Sequence, residues 1–335
     1  MEQSAITIEN MSKIYVQMQR SGKVKDIFKN MIKPSKKEVK AIENLSLCIN
    51  KGEFAAYAGA NGAGKSTTIK ILAGILQPTS GFVRVLGLNP SKDRIKLMNK
   101  VGILFGQRTE LWWDQPIITS FEWKRDVWNI PKSTYEKNLE LVKELLDLDS
   151  IINTFARELS LGQRMRADLG MMLLHSPEII FLDEPTLGLD VLAKRQMIGF
   201  LKNLNKENGT TILVTSHDMD DLEEMAQRII LLSDGKLIFD GDFDKLREIR
   251  DDSFHINVTV GGKAPEFEGM TLVKSNGNVH EYSTNGGHGD VSLQYVLSKL
   301  SQLEGIKDVE IQKAPIEQVI ANLYVELKNG NSIIN

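Results

Sequence analysis

The chain has 335 residues, of which 41% are hydrophobic and 25% charged, proportions typical of a folded protein with a large core and more than one domain. Its net charge of −3 excludes a strongly basic nucleic-acid-binding character over the whole chain, and its single cysteine excludes a disulfide framework or a cysteine-based zinc cluster. No apolar run approaches the roughly 18–20 residues that span a bilayer, and the N-terminus does not resemble a secretory signal. We therefore expect a protein of the reducing cytosol, in which any membrane-spanning part comes from another chain.

The first fifty residues alternate like two strands with a basic insertion between them. The first strand, residues 5–16, ends near Tyr15, and the second, residues 39–49, contains Cys48, which we expect to be a small core residue. The insertion, residues 17–40, holds eight lysines and arginines against two acids. Four of its apolar residues share one helical face: Ile27, Phe28, Met31 and Ile32. The insertion is therefore either a short amphipathic helix on an anionic membrane surface or a solvated basic loop with a small apolar anchor.

Residues 53–76 hold the strongest motif of the chain. Residues 54–58 read as a buried strand, residues 59–66 match G-x-x-x-x-G-K-[ST], and an apolar-periodic helix follows. Glycines let successive backbone N–H groups converge on phosphate oxygens, and the helix N-terminus adds partial positive charge. We therefore predict a nucleotide site, in which Lys65 reaches the β- and γ-phosphates and the Ser66 hydroxyl holds Mg²⁺. The alternative is a glycine-rich turn without a ligand.

Residues 108–175 are predicted to be mainly helical. Within them, Ser133 and Glu136 form a capping box, which predicts the start of a helix. The predicted buried stripe of this helix is Leu139, Val142, Leu145 and Leu146. All four tryptophans also lie in this region, within seventeen residues: Trp112, Trp113, Trp123 and Trp128. Such a concentration fits a local core or a partner-docking surface equally well.

Two carboxylates, Asp183 and Glu184, end a strongly apolar strand. Because paired carboxylates there are costly unless a metal or substrate uses them, we expect Asp183 to orient Mg²⁺ through water. Glu184 is then the candidate general base for the attacking water. The next strand, residues 210–215, leads to His217, whose imidazole could hydrogen-bond the γ-phosphate and hold base and water in position. The plainer alternatives are two solvated turn acids and a structural histidine.

Together these motifs resemble the ATP-binding subunit of ABC transporters over about residues 5–245. The resemblance identifies Gly59–Ser66 as the Walker A loop, Ile179–Asp183 as the Walker B strand and Leu159–Gln163 as the ABC signature. The nucleotide-binding residues that it implies are Tyr15, which stacks on adenine, Gly59, Asn61, Gly62, Ala63, Gly64, Lys65, Ser66, Thr67 and Gln107. The catalytic residues that it implies are Glu184, His217 and Lys65, and the residues that hold Mg²⁺ are Ser66, Gln107 and Asp183. The resemblance also implies that the signature residues of one copy contact the nucleotide bound by a second copy. These residues are Ser160, Leu161, Gly162 and Gln163, and Asp190 belongs to the D-loop.

The resemblance also implies the fold and the assembly. The expected fold is α/β: a P-loop ATPase core of ABC type with an antiparallel β subdomain, a helical subdomain and a small C-terminal α+β domain. The expected bounds are 1–250 for the cassette and 251–335 for the accessory or regulatory domain. The implied function is Mg²⁺-dependent ATP hydrolysis by a homodimer that energises export through a separate transmembrane permease. We therefore expect ATP and Mg²⁺ as cofactors and a peripheral, cytoplasmic location on the inner face of the cell membrane.

Two positions depart from the family pattern, and three alternatives stay open. Leu161 replaces the usual signature glycine and adds bulk near the expected phosphate, and Ala60 replaces a proline often found in Walker A. Export rests only on subtype resemblance in the Gln107 segment, the basic insertion and the C-terminal domain, so an importer ATPase is one alternative. A soluble ABC ATPase acting on ribosomes or nucleic acid is another, disfavoured by the single uninterrupted cassette and the lack of basic excess. An inactive cassette is the third, disfavoured by the intact catalytic set.

Overall fold

The computed structural model describes residues 4–18, 36–105, 108–248, 254–261, 264–284, 293–302, 305–313 and 316–328. The chain divides into two compact units, Met1–Asp240 and Gly241–Asn335. The sequence predicts a division a little later, after residue 250. None of the helices in the described part of the chain is long and apolar enough to cross a lipid bilayer.

The first unit alternates strands and helices along most of its length. Its strands are β1 (Ser4–Met18), β2 (Lys36–Asn50), β3 (Phe54–Gly59), β4 (Ser80–Val85), β5 (Val101–Phe105), β6 (Ile179–Asp183), β7 (Thr211–Thr215), β8 (Arg228–Ser233) and β9 (Lys236–Asp242), the last of which runs into the second unit. Its helices are α1 (Lys65–Leu72), α2 (Arg94–Met98), α3 (Ile117–Val127), α4 (Lys132–Leu145), α5 (Leu161–Leu173), α6 (Val191–Asn208) and α7 (Met219–Met225), with a 3₁₀ turn at Ala156–Glu158.

Two sheets build the core of this unit. The strands β2-β1-β4 form an antiparallel sheet, and β5-β6-β7-β3-β8-β9 form a second sheet whose neighbours from β5 to β8 run parallel. The β3 and β7 strands are buried along their whole length, as expected for a sheet covered on both faces. Because parallel strands end at one edge, the residues that follow β3, β6 and β7 are brought together there. This arrangement confirms the predicted α/β fold with an antiparallel β subdomain.

The first two strands form a long hairpin whose pairing extends to Met18 and Lys36. Its alternation buries Leu47 and Ile49 but exposes Cys48 between them. The expectation that Cys48 is a core residue is therefore wrong, since alternate residues of a strand point to opposite faces. Most of the basic insertion, including its predicted amphipathic helix, lies outside the described residues.

The helical region differs from the sequence prediction in one helix. The α4 helix begins at Lys132 after Pro131 without a side-chain cap, so the predicted capping box at residues 133–136 is wrong. Leu145, predicted to be buried, is 51% exposed. Asn138 occupies a buried position instead, because its amide donates to Leu174 O and Ser176 Oγ, both at 2.8 Å.

The four tryptophans divide between the two roles that the sequence left open. The rings of Trp112, Trp123 and Trp128 form a chain, with centroid distances of 5.6 Å and 6.5 Å between successive members. Lys124 Nζ lies 3.7 Å from the centre of the Trp128 ring, within cation–π range. Trp112 and Trp113 are exposed. The set is therefore partly a local aromatic cluster and partly an apolar surface.

The second unit is a small α+β unit. Its helices are α8 (Phe243–Glu248), α9 (Leu293–Leu300) and α10 (Ile316–Lys328), and its strands are β10 (Phe254–Val260), β11 (Met270–Asn276), β12 (Val279–Thr284) and β13 (Ile306–Lys313). The strands form an antiparallel sheet in the order β11-β12-β10-β13. Its apolar core joins one sheet face to α9 and contains Ile256, Val258, Val260, Phe267, Tyr282, Val296 and Leu300.

Candidate active site

The phosphate loop lies between β3 and α1 and passes close to β2. Gly64 ends the loop with a φ of 106°, and a Cβ on it would come within 2.6 Å of Ala41 O. Only glycine meets both conditions, the left-handed backbone and the close approach. The sequence motif therefore adopts the strand–loop–helix geometry that places several backbone N–H groups at the start of α1.

Lys65 points back into this loop. Its ammonium donates to Gly59 O at 2.6 Å and to Ala60 O at 3.3 Å, and the residue is only 7% exposed. Burial lowers the pKa of Lys65, while the charges of Glu184 and Asp183 act in the opposite direction. A cation held at the loop beside two carboxylates is the arrangement needed to bind a phosphate group and a metal side by side.

Asp183 lies at the end of β6 with two hydroxyl groups on one of its oxygens. Ser66 Oγ donates to Asp183 Oδ1 at 3.3 Å, and Thr215 Oγ1 donates to the same atom at 2.7 Å. The Ser66–Asp183 contact joins the end of the phosphate loop to the neighbouring strand end. A serine hydroxyl and a carboxylate together are the hard oxygen ligands that Mg²⁺ prefers, so these residues fit that ion.

Glu184 follows Asp183 with an unusual backbone and a close side-chain partner. Its φ is 60°, in the left-handed region that residues with a Cβ seldom adopt. Its backbone N–H donates to Thr215 O at 3.0 Å and to Thr215 Oγ1 at 3.2 Å. Its Oε1 lies 2.5 Å from His217 Nε2, and the His217 side chain remains 45% exposed. The pair therefore sits at the surface of the site, with the imidazole in hydrogen-bonding distance of the carboxylate.

The signature residues form a separate cluster at the start of α5. Ser160 caps this helix: its Oγ accepts from Gln163 N at 3.2 Å, and Gln163 Oε1 accepts from Ser160 N at 2.9 Å. The Leu161 side chain lies against Gly188, since a Cβ on Gly188 would come within 2.8 Å of Leu161 Cδ2. Asp190 caps α6 by accepting from Ala193 N at 2.9 Å. Signature and D-loop are therefore packed together within one chain.

The structure thus brings together only part of the predicted site. Lys65, Ser66, Asp183, Glu184 and His217 are joined through the contacts above. The four signature residues and Asp190 lie together as a second cluster. Gly59 belongs to the first cluster, because its carbonyl accepts from Lys65 Nζ. Of the other loop positions, Asn61 and Gly62 are exposed, Thr67 is half-buried and Ala63 is buried. Gln107 lies outside the described residues.

Tyr15 is half-buried on β1, opposite Val39 of β2. Lys13 Nζ lies 5.3 Å from the centre of its ring. Two residues further along β2, Ala41 O is the atom that approaches Gly64. The pairing register therefore places Tyr15 on the same hairpin that contacts the phosphate loop.

Sequence reasoning missed one polar residue that contacts the site, Thr215. Thr215 is wholly buried and bonds to both Asp183 and Glu184. The available signal was its position, one residue before the Ser216-His217 pair at a strand end that was already predicted to carry chemistry. A threonine at the end of a strand is also common for structural reasons, so its partners could not be read from the sequence.

A cavity of about 340 Å³ opens beside the predicted metal residues. It is lined by Ser66, Lys70, Ile75, Phe105, Arg108, Asp183 and Glu184. Its volume is at the small end of the range for ligand sites. Its mixed lining of carboxylates, hydroxyl and cations fits charged groups such as a metal and phosphate rather than an apolar ligand.

Comparison with known proteins identifies the family. The model of the ABC transporter family matches residues 42–187, a range that includes the phosphate loop and both strand-end carboxylates. The ABC transporter ATP-binding protein NatA of Bacillus subtilis is 30% identical over 64% of this chain and 86% of its own length. The chain belongs to the ABC transporter family. Its first unit is accordingly an ABC ATP-binding cassette, and the predicted ATP-hydrolysing class is confirmed.

Relatives of this cassette carry different transport names. The bacitracin transport ATP-binding protein BcrA of Bacillus licheniformis is 26% identical over 88% of this chain and 94% of its own length. The methionine import ATP-binding protein MetN of Carboxydothermus hydrogenoformans is 32% identical over 62% of this chain and 63% of its own length. The membership therefore does not decide the direction of transport.

Larger relatives and solved structures agree with the cassette assignment. ABC transporter A family member 1 of Dictyostelium discoideum is 31% identical over 69% of this chain, but the matched region is only 26% of that protein. A dimeric ATP-binding cassette in a post-hydrolysis state, bound to ADP and Pi, superposes with a TM-score of 0.59 at 25% identity. That match covers 71% of this chain and 98% of the solved one.

Proposed function

We propose that this ABC cassette binds and hydrolyses MgATP and that the hydrolysis drives a separate transmembrane permease. The observation that carries the proposal is the convergence of Lys65, Ser66, Asp183, Glu184 and His217 at one sheet edge. Each of these residue types supplies one requirement of phosphoryl transfer to water. A phosphate loop alone would fit many classes of nucleotide-binding protein.

The roles follow from the geometry of the chain's own groups. The phosphate-loop N–H groups and Lys65 bind the β- and γ-phosphates. Ser66, and Asp183 through water, would hold Mg²⁺, which would neutralise charge on the phosphate oxygens. Glu184 accepts the proton of the attacking water. His217, whose Nε2 lies 2.5 Å from Glu184 Oε1, holds that carboxylate in place beside the γ-phosphate. Tyr15 stacks on the adenine, and Gln107 is proposed to take part in binding Mg²⁺.

The second cluster implies a second copy of the chain. Ser160 and the first N–H groups of α5 form an exposed helix terminus suited to an anion. In the proposed homodimer this terminus, with Gly162, contacts the ATP of the partner subunit, and Asp190 lies at the same interface. The contact of Leu161 with Gly188 supports turnover despite the missing signature glycine, since it directs the leucine side chain against the D-loop.

Export through a small separate permease is the proposed direction, and import is the alternative that a relative named for methionine import keeps open. A relative that matches over 88% of this chain is named for bacitracin transport, so the length that the two share extends into the C-terminal unit. The exposed tryptophans of the helical region are the proposed surface for the permease. This partner would hold the cassette on the inner, cytoplasmic face of the membrane, and the basic insertion could contact anionic lipid there. Nucleic acid is not a proposed partner.

Replacing Glu184 with glutamine tests the proposal directly. Glu184→Gln keeps the size of the side chain and its hydrogen bond to His217 but removes the base. We expect kcat for ATP hydrolysis to fall by about 10²–10⁴-fold, the range typical of a general base. Nucleotide binding should persist, so ATP should convert the variant to a dimer that size-exclusion chromatography with light scattering detects.

Glu178→Gln is the matched control for this measurement. Glu178 immediately precedes the same strand, β6, and forms an exposed ion pair with Lys100 at 2.6 Å. Its loss should leave hydrolysis at the wild-type rate, since exposed ion pairs contribute little. Equal rates for Glu184→Gln and the wild type would reject Glu184 as the base. A monomeric Glu184→Gln at saturating ATP would reject the composite dimer site.

A further inference from the structure

A buried threonine at the end of β7 connects the two carboxylates of the site. Thr215 is wholly buried and lies opposite Asp183 in the pairing of β6 with β7. Its Oγ1 donates to Asp183 Oδ1 at 2.7 Å and accepts from the backbone N–H of Glu184 at 3.2 Å. The Thr215 carbonyl accepts from the same N–H at 3.0 Å. One residue therefore contacts both members of the carboxylate pair.

The hydrogen-bond capacity of the threonine determines how Asp183 is oriented. A hydroxyl has one proton, and that of Thr215 is used on Asp183 Oδ1. Ser66 Oγ donates to the same oxygen at 3.3 Å. Two donors occupy the lone pairs of Oδ1, so Oδ2 is the oxygen of Asp183 that remains for other donors, such as water bound to a metal.

The same residue supports the backbone of Glu184. A φ of 60° is unfavourable for glutamate, and such a conformation persists only where surrounding groups impose it. Here the carbonyl and the hydroxyl of Thr215 both accept from the Glu184 N–H. In this conformation the Glu184 carboxylate reaches His217. The strand that supplies the support also leads, two residues later, to the histidine.

We propose that Thr215 is a positioning residue for ATP hydrolysis. Its hydroxyl aims Asp183 at Mg²⁺ and, through the backbone, aims the Glu184 carboxylate at the attacking water. The inference rests on the proposed roles of Asp183 and Glu184. It adds a residue that touches neither nucleotide nor metal and acts through those two carboxylates.

Two substitutions that separate the hydroxyl of Thr215 from its methyl group test this role. Thr215→Val keeps the branched shape of the side chain, and Thr215→Ser keeps the hydroxyl but removes the methyl group. Thr211→Val is the control, because Thr211 is also buried on β7 and its hydroxyl accepts from Gly52 N at 2.9 Å, at the other end of the strand. Steady-state ATPase rates are measured across a Mg²⁺ titration. The affinity for a fluorescent ATP analogue is measured with Mg²⁺ and with EDTA.

We expect Thr215→Val to lower kcat and raise the half-saturating Mg²⁺ concentration by about 10–100-fold, the range seen for residues that orient metal ligands. The gain in nucleotide affinity on adding Mg²⁺ should shrink, while the affinity in EDTA should stay at the wild-type value. Thr215→Ser should restore most of the loss in both measurements. Thr211→Val should match the wild type in both.

The proposal would be overturned if Thr215→Val had the same kcat and the same dependence on Mg²⁺ concentration as the wild type. A Thr215→Ser variant as impaired as Thr215→Val would also overturn it, because packing of the methyl group would then be the cause. If thermal unfolding shows that Thr215→Val does not fold, Thr215→Ala replaces it, since alanine also lacks the hydroxyl. Measuring Glu184→Gln in the same series separates the proposed role of Glu184 from that of Thr215. If Glu184→Gln hydrolyses ATP at the wild-type rate, the role of Glu184 is rejected. An inactive Glu184→Gln beside a normal Thr215→Val rejects only the role of Thr215.

Discussion

Asp168 is a buried carboxyl on α5, two turns after the capping residue Ser160. Its Oδ1 accepts from Thr109 Oγ1 at 2.9 Å and from Glu110 N at 3.1 Å. Burial raises the pKa of Asp168 to about 6, against the opposing effect of these two hydrogen bonds. The nearby charge of Glu110 raises the same pKa. Asp168 thereby connects the segment after Gln107 to the helix that begins at the signature.

This raised pKa makes stability depend on pH. Because the folded-state pKa lies above the ordinary value of 3.8, folding takes up a proton between about pH 4 and 6, and the free energy of unfolding falls as the pH rises through that window. Asp168→Asn keeps an acceptor oxygen and carries no charge. At about pH 7.5 it should exceed the wild type by on the order of 1–3 kcal/mol in free energy of unfolding. Denaturant titrations at this pH and at about pH 3 measure the difference, which should nearly vanish at the lower pH, because the carboxyl is then largely protonated in both the folded and the unfolded chain.

Asp168→Ala is the control for the hydrogen bonds. It removes both acceptor oxygens and should be less stable than Asp168→Asn at both pH values, because Thr109 and the Glu110 N–H lose their partner. A difference between Asp168→Asn and the wild type that is the same at both pH values would show that the charge of Asp168 is not its cause.

At this scale, the residues that sequence reasoning found are those with a strong local pattern. The phosphate loop and the Asp183-Glu184 pair are contiguous motifs, and their positions follow from the order of the strands. Thr215 was missed because its partners lie on the neighbouring strand. Cys48 was misplaced although the alternation around it predicts an exposed position, because residue type was given more weight than periodicity.

At the scale of elements, a lysine connects α6, the helix that follows the D-loop, to α7, the helix that follows His217. Lys194, one turn after Asp190 on α6, contacts Asp218 Oδ2 at 2.7 Å and Asp221 Oδ1 at 2.9 Å. Asp218 is adjacent to His217 and caps α7. Asp221 is buried, and its other oxygen, Oδ2, has no hydrogen-bond partner among the described residues. Lys194 is therefore the cation that compensates a buried carboxylate.

Lys194→Met should destabilise the cassette. The substitution keeps the length of the apolar stem and leaves Asp221 without its cation, which should cost about 1–3 kcal/mol of stability for a partly exposed pair. Thermal unfolding should therefore show a lower Tm for Lys194→Met. Adding Asp221→Asn should recover most of the loss, because the double variant has no unpaired buried charge.

Arg195→Met serves as the control on the same helix. Arg195 is exposed and has no ion-pair partner within the described part of the chain, so its loss should leave Tm close to that of the wild type. An equal fall in Tm for Lys194→Met and Arg195→Met would mean that the Asp218 and Asp221 contacts are not the reason. A double variant no more stable than Lys194→Met would lead to the same conclusion.

The element scale also shows where pattern recognition fails. The sequence predicts α4 as a helix, but its start and its buried face are set by neighbours. Pro131 precedes the first turn, and Asn138 is buried because α5 and the turn after it supply acceptors for its amide. Leu145, near the end of the same helix, is exposed. A stripe of hydrophobic residues predicts that a segment is a helix more reliably than it predicts which side of that helix is buried against its neighbours.

At the scale of the whole molecule, the first unit contains every residue of the proposed catalytic set. An apolar core that runs from Ala5 to Leu232 is built from residues of this unit. Near its C-terminal limit, Arg228 forms a bidentate pair with Asp240 at 2.6 and 2.8 Å and bonds to Glu53 at 2.6 Å. The side chain thus joins β8 to β9 and to the residue before β3. Asp240 of β9 therefore belongs structurally to the cassette.

A truncated chain of residues 1–242 should fold and bind ATP without the rest of the second unit. It retains the core, the phosphate loop, the carboxylate pair and all three bonds of Arg228. A chain of residues 1–234 lacks β9 and Asp240, which leaves β8 as an unprotected sheet edge and removes the bidentate partner of Arg228. We expect cooperative thermal unfolding and fluorescent-ATP binding from the longer chain, and a lower Tm or aggregation from the shorter one. If residues 1–242 aggregate or fail to bind the nucleotide while the full chain binds it, the cassette depends on the second unit and its folding as an independent unit is rejected.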